Sequence, residues 1–291
     1  QAGPFRQTIQ LNQQGPSKPM AVITISRGSY CGGKMLAERL ADKLHYRCID
    51  RDVLTQRTSI RSVSPSELFA ALETPPANRW HSVNHRKYVY LALVQAALLE
   101  EVSRGDVVYH GLAGQLLLQG GLAVLRIRVI APPEFRIQMA QERMHLSRAN
   151  AISHIRKVDE QRDKWVQFLY GVEWQDPSLY DLVINLQNIS IDQACRLICG
   201  MTKEGNFEFS SKHESALRDF VLAARVRAAL AKDALTSYLE VEVESHAGEI
   251  TIKGELCEQS EEVQRVAAAV PGVLTVTLSE PIEESEPAMR G

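Results

Sequence analysis

Short apolar runs alternate with amphipathic helical stretches through the first two thirds of the chain. Strands are predicted at 20–25, 46–50, 107–111, 122–130 and 179–185. Helical periodicity is found at 35–44, 53–103, 134–165 and 191–199, with a break in the second stretch near Thr74-Pro75-Pro76. Because each crossing between strands is longer than about ten residues, the pattern predicts an α/β fold, a parallel sheet with helices on both faces.

The last third of the chain has a different pattern. Helices are predicted at 214–231 and 258–269, and strands at 239–244, 250–254 and 273–278. The first of these strands alternates strictly between apolar and charged residues, which indicates one solvent-exposed face. Ala247-Gly248 then turns the chain back as a hairpin. The order of elements predicts a small αββαβ unit of the α+β class.

These two patterns suggest how the chain is divided. We expect a large domain at 20–204, a polar linker at 205–213 and a small domain at 214–280. Residues 1–19 are rich in Gln, Pro and Gly and have no sustained period, so they are expected to form a flexible leader. Residues 281–291 are expected to be a flexible tail.

Charge is unevenly distributed along the chain, whose formal net charge is −2. Residues 1–213 carry 26 Lys and Arg against 20 Asp and Glu, whereas residues 214–280 carry 6 against 12. The basic front part suits a protein that binds polyphosphates. The acidic rear part argues against nucleic acid as a partner.

Cysteine usage and hydropathy indicate the compartment. The five cysteines are an odd number without a paired framework, which favours a reducing cytoplasm. No apolar run reaches about 18 residues, so no transmembrane segment is predicted. The N-terminus lacks a basic segment followed by an apolar one, which argues against a secretory signal. We therefore expect a cytoplasmic protein.

A glycine-rich stretch between the first strand and the first helix carries the strongest chemical signal. It has the spacing Gly-x4-Gly-Lys, and its residues are Gly28, Ser29, Tyr30, Cys31, Gly32, Gly33, Lys34 and Met35. Glycines let backbone N–H groups converge on a phosphate, and the helix that follows directs its positive end at the same anion. Lys34 can then reach the outer phosphates, whereas Met35 stands where such loops have a Ser or Thr ligand for Mg²⁺. The stretch predicts a phosphate-binding loop, with a plain glycine-rich turn as the alternative.

Polar residues follow the second strand directly. Asp50-Arg51-Asp52 lies at the carboxyl end of this strand, the edge at which open parallel sheets bind their ligands. Asp50 is therefore a candidate for metal or substrate binding. An N-cap of the helix that begins at Val53 is an equally good interpretation.

The helical stretch over 134–165 is rich in cations. They are Arg136, Arg143, Arg148, Arg156, Lys157, Arg162 and Lys164. Arginines that close over a nucleotide neutralise the transferred phosphoryl group and exclude water, so this stretch is a candidate lid. The alternative is a solvated helix pair, whose cations are balanced by Glu134, Glu142, Asp159, Glu160 and Asp163.

Four motifs together resemble the cytidylate kinase-like family, a branch of the P-loop nucleoside monophosphate kinases. They are Ile23-Thr24-Ile25-Ser26-Arg27, Ile49-Asp50-Arg51-Asp52, Lys157-x-Asp159-x-x-Arg162 and Tyr180-Asp181-Leu182-Val183-Ile184-Asn185. The resemblance covers about 21–198. It implies a five-stranded P-loop kinase sheet, an acceptor-binding region at about 53–103 and a lid at about 136–162. It also implies transfer of the ATP γ-phosphoryl group to CMP or a related monophosphate, with Mg²⁺.

The resemblance further implies roles for individual residues. Residues 28–35 would bind ATP, and Lys34, Arg143 and Arg162 would be the catalytic cations. Asp50, Arg51, Arg136 and Lys157 would serve the acceptor or the lid, with Asp50 also a metal ligand. Leu112 stands where an arginine is expected to contact the acceptor phosphate. The alternative function is therefore a nucleotide-binding sensor with impaired catalysis.

The rear unit resembles a BON domain. The markers are the hairpin Gly248-Glu249-Ile250-Thr251-Ile252-Lys253-Gly254 and the junction Val270-Pro271-Gly272-Val273. The resemblance implies a module associated with ligands or lipids. Because the acidity of this unit opposes docking on anionic lipid, we expect it to bind a small ligand or to mediate homo-oligomerisation.

Overall fold

The computed structural model describes residues 22–50, 53–54, 80–111, 113–118, 122–203, 207 and 211–279. Its strands are β1 (Val22–Arg27), β2 (Arg47–Asp50), β3 (Val107–His110), β4 (Val124–Ile130), β5 (Leu182–Asn185), β6 (Glu242–His246), β7 (Glu249–Lys253) and β8 (Thr275–Ser279). Its helices are α1 (Gly33–Leu44), α2 (Trp80–Val102), α3 (Gly114–Leu117), α4 (Pro133–Met144), α5 (Arg148–Tyr170), α6 (Ile191–Met201), α7 (Ser211–Lys232) and α8 (Ser260–Ala268). Short 3₁₀ segments lie at Pro177–Leu179 and Cys257–Gln259.

Some of the residues singled out in the sequence lie outside this description. They are the leader, the tail, Arg51, Asp52, Leu112, most of the predicted linker, and residues 55–79 of the predicted helical stretch with its break at Thr74-Pro75-Pro76.

The large sheet has five parallel strands in the order β2-β3-β1-β4-β5, which confirms the predicted α/β class. Central β1 pairs with β3, placing Ile25 opposite His110, and with β4, placing Arg27 opposite Val129. In β2, Asp50 lies opposite His110. Because parallel strands end at the same edge, Arg27, Asp50 and His110 come together at the carboxyl ends of β1, β2 and β3.

Helices cover both faces of this sheet. On one face, Leu36 and Leu40 of α1 and Ile198 of α6 are fully buried with Ile23 and Ile127 of the sheet. The other face packs against α2, α7 and the end of α5, and its core includes Tyr109, Leu98, Val221, Trp165 and Leu169. The alternation of side chains along each strand therefore divides the strand residues between two separate cores.

The predicted helical stretch over 134–165 is two helices, α4 and α5. His145 takes a left-handed conformation (φ 53°) after α4, and the Ser147 side chain caps α5 by accepting a hydrogen bond from the Asn150 N–H. The turn at 145–147 brings the two helices together, and Ile137, Ala140, Ala151 and Ile155 form a small core between them.

The C-terminal unit is a three-stranded sheet in the order β6-β7-β8, in which β6 and β7 are antiparallel and β7 and β8 parallel. Its helices α7 and α8 contribute Val226, Leu230 and Val263 to a core with Ile250 and Ile252 of the sheet. The αββαβ order agrees with the prediction, although β6 begins at Glu242 rather than at 239.

Helix α7 also packs on the large sheet, because it has two buried faces. Leu217, Val221, Ala224 and Ala228 belong to the core with α2, whereas Val226 belongs to the core of the C-terminal sheet. The Tyr88 hydroxyl of α2 donates to the Val241 carbonyl at 2.9 Å. The boundaries at 204 and 214 stay predictions, but the two parts share one helix.

Candidate phosphate-binding site

The glycine-rich loop lies between β1 and α1, as the spacing predicts. Tyr30 (φ 59°) and Gly32 (φ 80°) take left-handed backbone conformations that reverse the chain. A Cβ at Gly28 would lie 2.8 Å from the Cys31 Sγ, so any larger residue there would have to displace this buried thiol. A 2.9 Å hydrogen bond joins the Tyr30 hydroxyl to His154 Nε2 of α5, which holds the strained Tyr30 backbone in place.

Helices α4 and α5 bring an ion pair onto this loop. Arg136 Nε donates to the Ser29 carbonyl at 2.8 Å, and its Nη2 donates to Ser29 Oγ at 2.7 Å. Arg136 also pairs with Asp159. Asp159 Oδ1 in turn accepts from Ser29 Oγ at 2.5 Å and from the Ser29 N–H at 3.3 Å. The Asp159 carboxylate of the candidate lid thus accepts a hydrogen bond from a backbone N–H of the candidate phosphate loop.

Two more guanidinium groups lie beside the loop. Arg162 Nη1 donates to the Arg27 carbonyl at 2.9 Å. Burial lowers the pKa of Arg162, and the neighbouring charge of Arg27 lowers it further. Burial also lowers the pKa of Arg27, with a further contribution from Arg143. These cations therefore destabilise one another's charged forms, and a bound polyanion would relieve that repulsion.

The remaining predicted cations differ in their surroundings. The Lys34 side chain is 49% exposed, with its Nζ 3.7 Å from Glu38 of the same helix. Within the described part of the chain, Arg143 and Lys157 make neither a hydrogen bond nor an ion pair. Arg148 and Arg156 form exposed pairs with Glu134 and Glu160, as the solvated-helix interpretation predicts. The lid and the solvated-helix interpretations thus each describe different residues of α4 and α5.

Asp50 lies at the edge where β2 and β3 end. Its Oδ1 accepts a hydrogen bond from the Val53 N–H at 2.9 Å, so the capping interpretation is correct for this oxygen. His110 lies next to it, 4% exposed, and its Nδ1 has no hydrogen-bond partner among the described residues. Burial lowers the pKa of His110, and Arg27 lowers it further, against the opposing charges of Asp50 and Glu38.

The described residues contain no cluster of three or more His, Cys, Asp or Glu side chains that could hold a metal ion by themselves. Cys31, Cys48, Cys195 and Cys199 are free thiols. None of the helices in the described ranges is both long and apolar enough to cross a membrane.

Sequence reasoning identified the loop, Asp50, Arg136 and Arg162, but it assigned no task to Arg27. Asp159 was expected as a member of the motif Lys157-x-Asp159-x-x-Arg162 and as a balancing charge on a solvated helix, without a task of its own, and His110 only as part of a strand end. The position of Arg27 at the end of β1, immediately before the glycines, is the signal that could have pointed to it.

Comparison with known proteins adds two matches to sequence models of families. Residues 22–188 match the model of the cytidylate kinase-like family, more than half of the chain. Residues 218–278 match the model of the BON domain.

Individual relatives agree with the first match. A cytidylate kinase from Staphylothermus marinus is 30% identical over 183 residues, covering 62% of this chain and 94% of that protein. The crystal structure of an uncharacterized protein from Eubacterium ventriosum has a TM-score of 0.50 at 16% identity, covering 63% of this chain and 99% of the other. This structural likeness supports the fold of the large sheet.

Proposed function

This chain belongs to the cytidylate kinase-like family, and from this premise we propose that it transfers the γ-phosphoryl group of ATP to CMP or a related nucleoside monophosphate. One observation carries the proposal. The guanidinium groups of Arg136 and Arg162 donate hydrogen bonds to the glycine loop and to the Arg27 carbonyl just before it, and the carboxylate that hydrogen-bonds there is Asp159. A site with this excess of buried positive charge favours a polyphosphate.

The proposed chemistry needs position and charge rather than a covalent intermediate. Negative charge spreads over the oxygens of the transferred group in the transition state, and fixed cations stabilise it there. A monophosphate acceptor attacks through an oxygen that is already largely ionised at neutral pH, since its second pKa is about 6. No general base is therefore required of the protein.

We propose distinct tasks for the cations. The amides of residues 28–33 and the start of α1 hold the β-phosphate, and Lys34 reaches an outer phosphate once it leaves Glu38. Arg162 and Arg143 stabilise the transferred group, while Arg136 and Lys157 close the lid over it. The exposed position of Arg143 on α4 and the absence of a described partner for it are compatible with movement toward a nucleotide.

Magnesium enters this proposal as part of the MgATP substrate. Met35 offers it no oxygen, but Asp50 lies at the strand edge with only one of its oxygens in a described hydrogen bond. Mg²⁺ is usually bound through one or two carboxylates, water and substrate phosphates, and Asp50 fits that requirement. The ion would neutralise phosphate charge.

Because the reaction consumes ATP, we place the protein in the cytoplasm.

A nucleotide-binding sensor is the second candidate function. It is favoured by the packing of the C-terminal unit on α2, within the proposed acceptor region, through Tyr88 and the pair of Arg225 with Glu100. In that case the BON-like unit would bind a small ligand or a second copy of the chain and respond to the nucleotide state of the large domain.

A coupled assay of ADP formation tests the proposal. The full chain is given MgATP with CMP, dCMP, UMP, AMP or GMP in turn, and we expect turnover with at least one pyrimidine monophosphate. Arg162→Met should reduce kcat about 100-fold or more, since it removes a transition-state contact. Arg148→Met, which loses the same charge at an exposed pair, should change kcat less than about twofold.

The assay also separates the two candidates. ADP formation with a monophosphate contradicts the sensor. Tight ATP binding by calorimetry without turnover on any acceptor contradicts the kinase and supports the sensor. A chain that neither binds ATP nor forms ADP contradicts both.

A further inference from the structure

The first residue of α1 has no side chain, and Arg27 covers it. A Cβ at Gly33 would lie 2.7 Å from both Cβ and Cδ of Arg27, and 3.3 Å from its Cγ. Such contacts are too close for any real side chain, so the aliphatic stem of Arg27 occupies the space where a residue at 33 would project. The side chain that lines the loop at Gly33 therefore comes from β1 and not from α1.

The head of the Arg27 side chain lies at the meeting point of the site. Besides burial, the Arg27 charge lowers the pKa of His110 at the end of β3 and the pKa of Arg162 in α5. The pKa of Arg27 itself is lowered by the Arg143 charge and raised by the Asp50 charge. Strand β1 fixes its backbone through pairing with β4, and Arg162 holds its carbonyl.

Packing alone does not explain an arginine here. Its Nε is buried and has no hydrogen-bond partner among the described residues. A buried, unsatisfied donor costs free energy, and a buried charge costs more unless an anion meets it. The carboxylates of Asp50 and Glu38 act on the Arg27 charge, but neither accepts a hydrogen bond from its Nε. An apolar side chain of the same length would fill the space above Gly33 without an unsatisfied donor, so the Nε–H group is available to a ligand.

We propose that the Arg27 guanidinium binds the β- and γ-phosphates of the nucleotide from inside the loop, whereas the half-exposed Lys34 approaches an outer phosphate from α1. A guanidinium presents several N–H groups in a rigid fork that matches phosphate oxygens. This assignment rests on the proposed function, because it presupposes ATP at the glycine loop. It adds a phosphate-binding residue for which the loop spacing gives no indication.

Calorimetric titration of the full chain with ATP and with AMP tests the assignment. Arg27→Met keeps an unbranched stem over Gly33 and removes the charge. We expect its ATP affinity to fall roughly 10- to 100-fold, the loss of a charge-assisted hydrogen bond, with AMP affinity within about twofold of wild type. Arg39→Met, an exposed arginine of α1 beside Asp192, is the matched control and should bind ATP like wild type. Lys34→Met should lose less ATP affinity than Arg27→Met.

A second measurement uses the unmodified chain, in case Arg27→Met does not fold. In ¹H–¹⁵N spectra of arginine side chains, the Arg27 Nε–H signal, assigned by comparison with Arg27→Lys, should shift on addition of ATP and not on addition of AMP. An unchanged signal, or equal losses of ATP and AMP affinity in Arg27→Met, overturns the assignment. If wild type binds ATP and Arg27→Met binds it equally well, this assignment fails while the proposed function stands. Wild type that binds no ATP overturns both.

Discussion

At the scale of single residues, the site depends on polar groups that the fold buries together. Arg27, Asp50 and His110 end adjacent strands, and each faces helix α1 because strand alternation puts them on that side. The buried imidazole of His110 has an unpartnered Nδ1 next to the Arg27 charge, so it is held neutral. The stability of the protein should therefore respond to pH through this residue.

His110 gives a pH prediction whose sign is fixed by the lowered pKa. The unfolded chain takes up a proton near pH 6.5, while the folded chain resists it, so stability is fully present above that pH and falls as pH decreases below it. The loss attributable to His110 is at most about 1.4 kcal/mol per pH unit. Urea unfolding at pH 7.5, 6.5 and 5.5 should show a smaller decrease for His110→Asn than for wild type.

The control for this experiment is His145→Asn, because His145 is exposed and its left-handed backbone suits asparagine. As the pH decreases, the free energy of unfolding of His145→Asn should fall by the same amount as that of wild type. If the His110→Asn and wild-type curves are parallel as well, His110 does not hold the proposed neutral state.

How far the site could be predicted also differs from residue to residue. Gly28 and Gly33 were predicted from local spacing, because a loop between strand and helix is a local structure. Arg136 was predicted only as one of several cations of the candidate lid. Asp159 could not be placed, since its contact with Ser29 spans 130 positions along the chain. The packing of α4 and α5 over β1 decides which of their cations point toward the loop. Hydrophobic periodicity carries no information about this packing.

At the scale of elements, hydrogen bonds at the ends of helices stabilise the helices that pack against the sheet. Helix α6 begins with a capping box, in which Ser190 Oγ accepts from the Gln193 N–H and the Gln193 side chain accepts from the Ser190 N–H. The helix buries Ala194, Cys195 and Ile198 against the face of the sheet that also carries α1. The cap therefore stabilises the layer on which the glycine loop rests.

Replacing Ser190 by Ala should cost about 1 kcal/mol, because the first-turn N–H groups lose their acceptor. In a protein of this size that corresponds to a decrease in Tm of about 2–4 °C by calorimetry. Ser215→Ala is the matched control, since Ser215 is an exposed residue inside α7 and alanine is the better helix former. Equal Tm values for Ser190→Ala and wild type would contradict the prediction.

The elements themselves were predicted closely wherever periodicity was strong, as in β3 and α6. The break between α4 and α5 was not predicted, because the residues on both sides are polar and the helical pattern continues across it. The end of α4 depends instead on the left-handed backbone of His145. The short helix α3 was also missed, since four residues carry no period.

At the scale of the whole molecule, α7 joins the two parts. Val221 is buried against α2 and the large sheet, and Val226 is buried against the C-terminal sheet. Arg225 and Arg227 also contact Glu100 and Gln95 of α2. Hydrophobic periodicity predicted α7 as the first helix of a separate unit, because one amphipathic face was recognised and the second, rich in alanine, was not.

We expect the full chain to unfold in a single cooperative transition. Val221→Ala and Val226→Ala should each lower its free energy of unfolding by about 2 kcal/mol, since each leaves a cavity in one of the cores that α7 completes. Calorimetry, with hydrogen exchange of the β3 and β7 amides as separate probes, measures this. Two transitions, with each valine shifting only one of them, would show that the parts unfold independently.

The contact of Asp159 with the Ser29 amide has a consequence for how any nucleotide arrives. The resting loop already holds an anion of its own, so phosphate entry is an exchange of one negative group for another. The carboxylate that departs is built into α5, together with Arg162 and the His154 partner of Tyr30. Filling the loop is therefore expected to break one of the contacts that hold α5 against it.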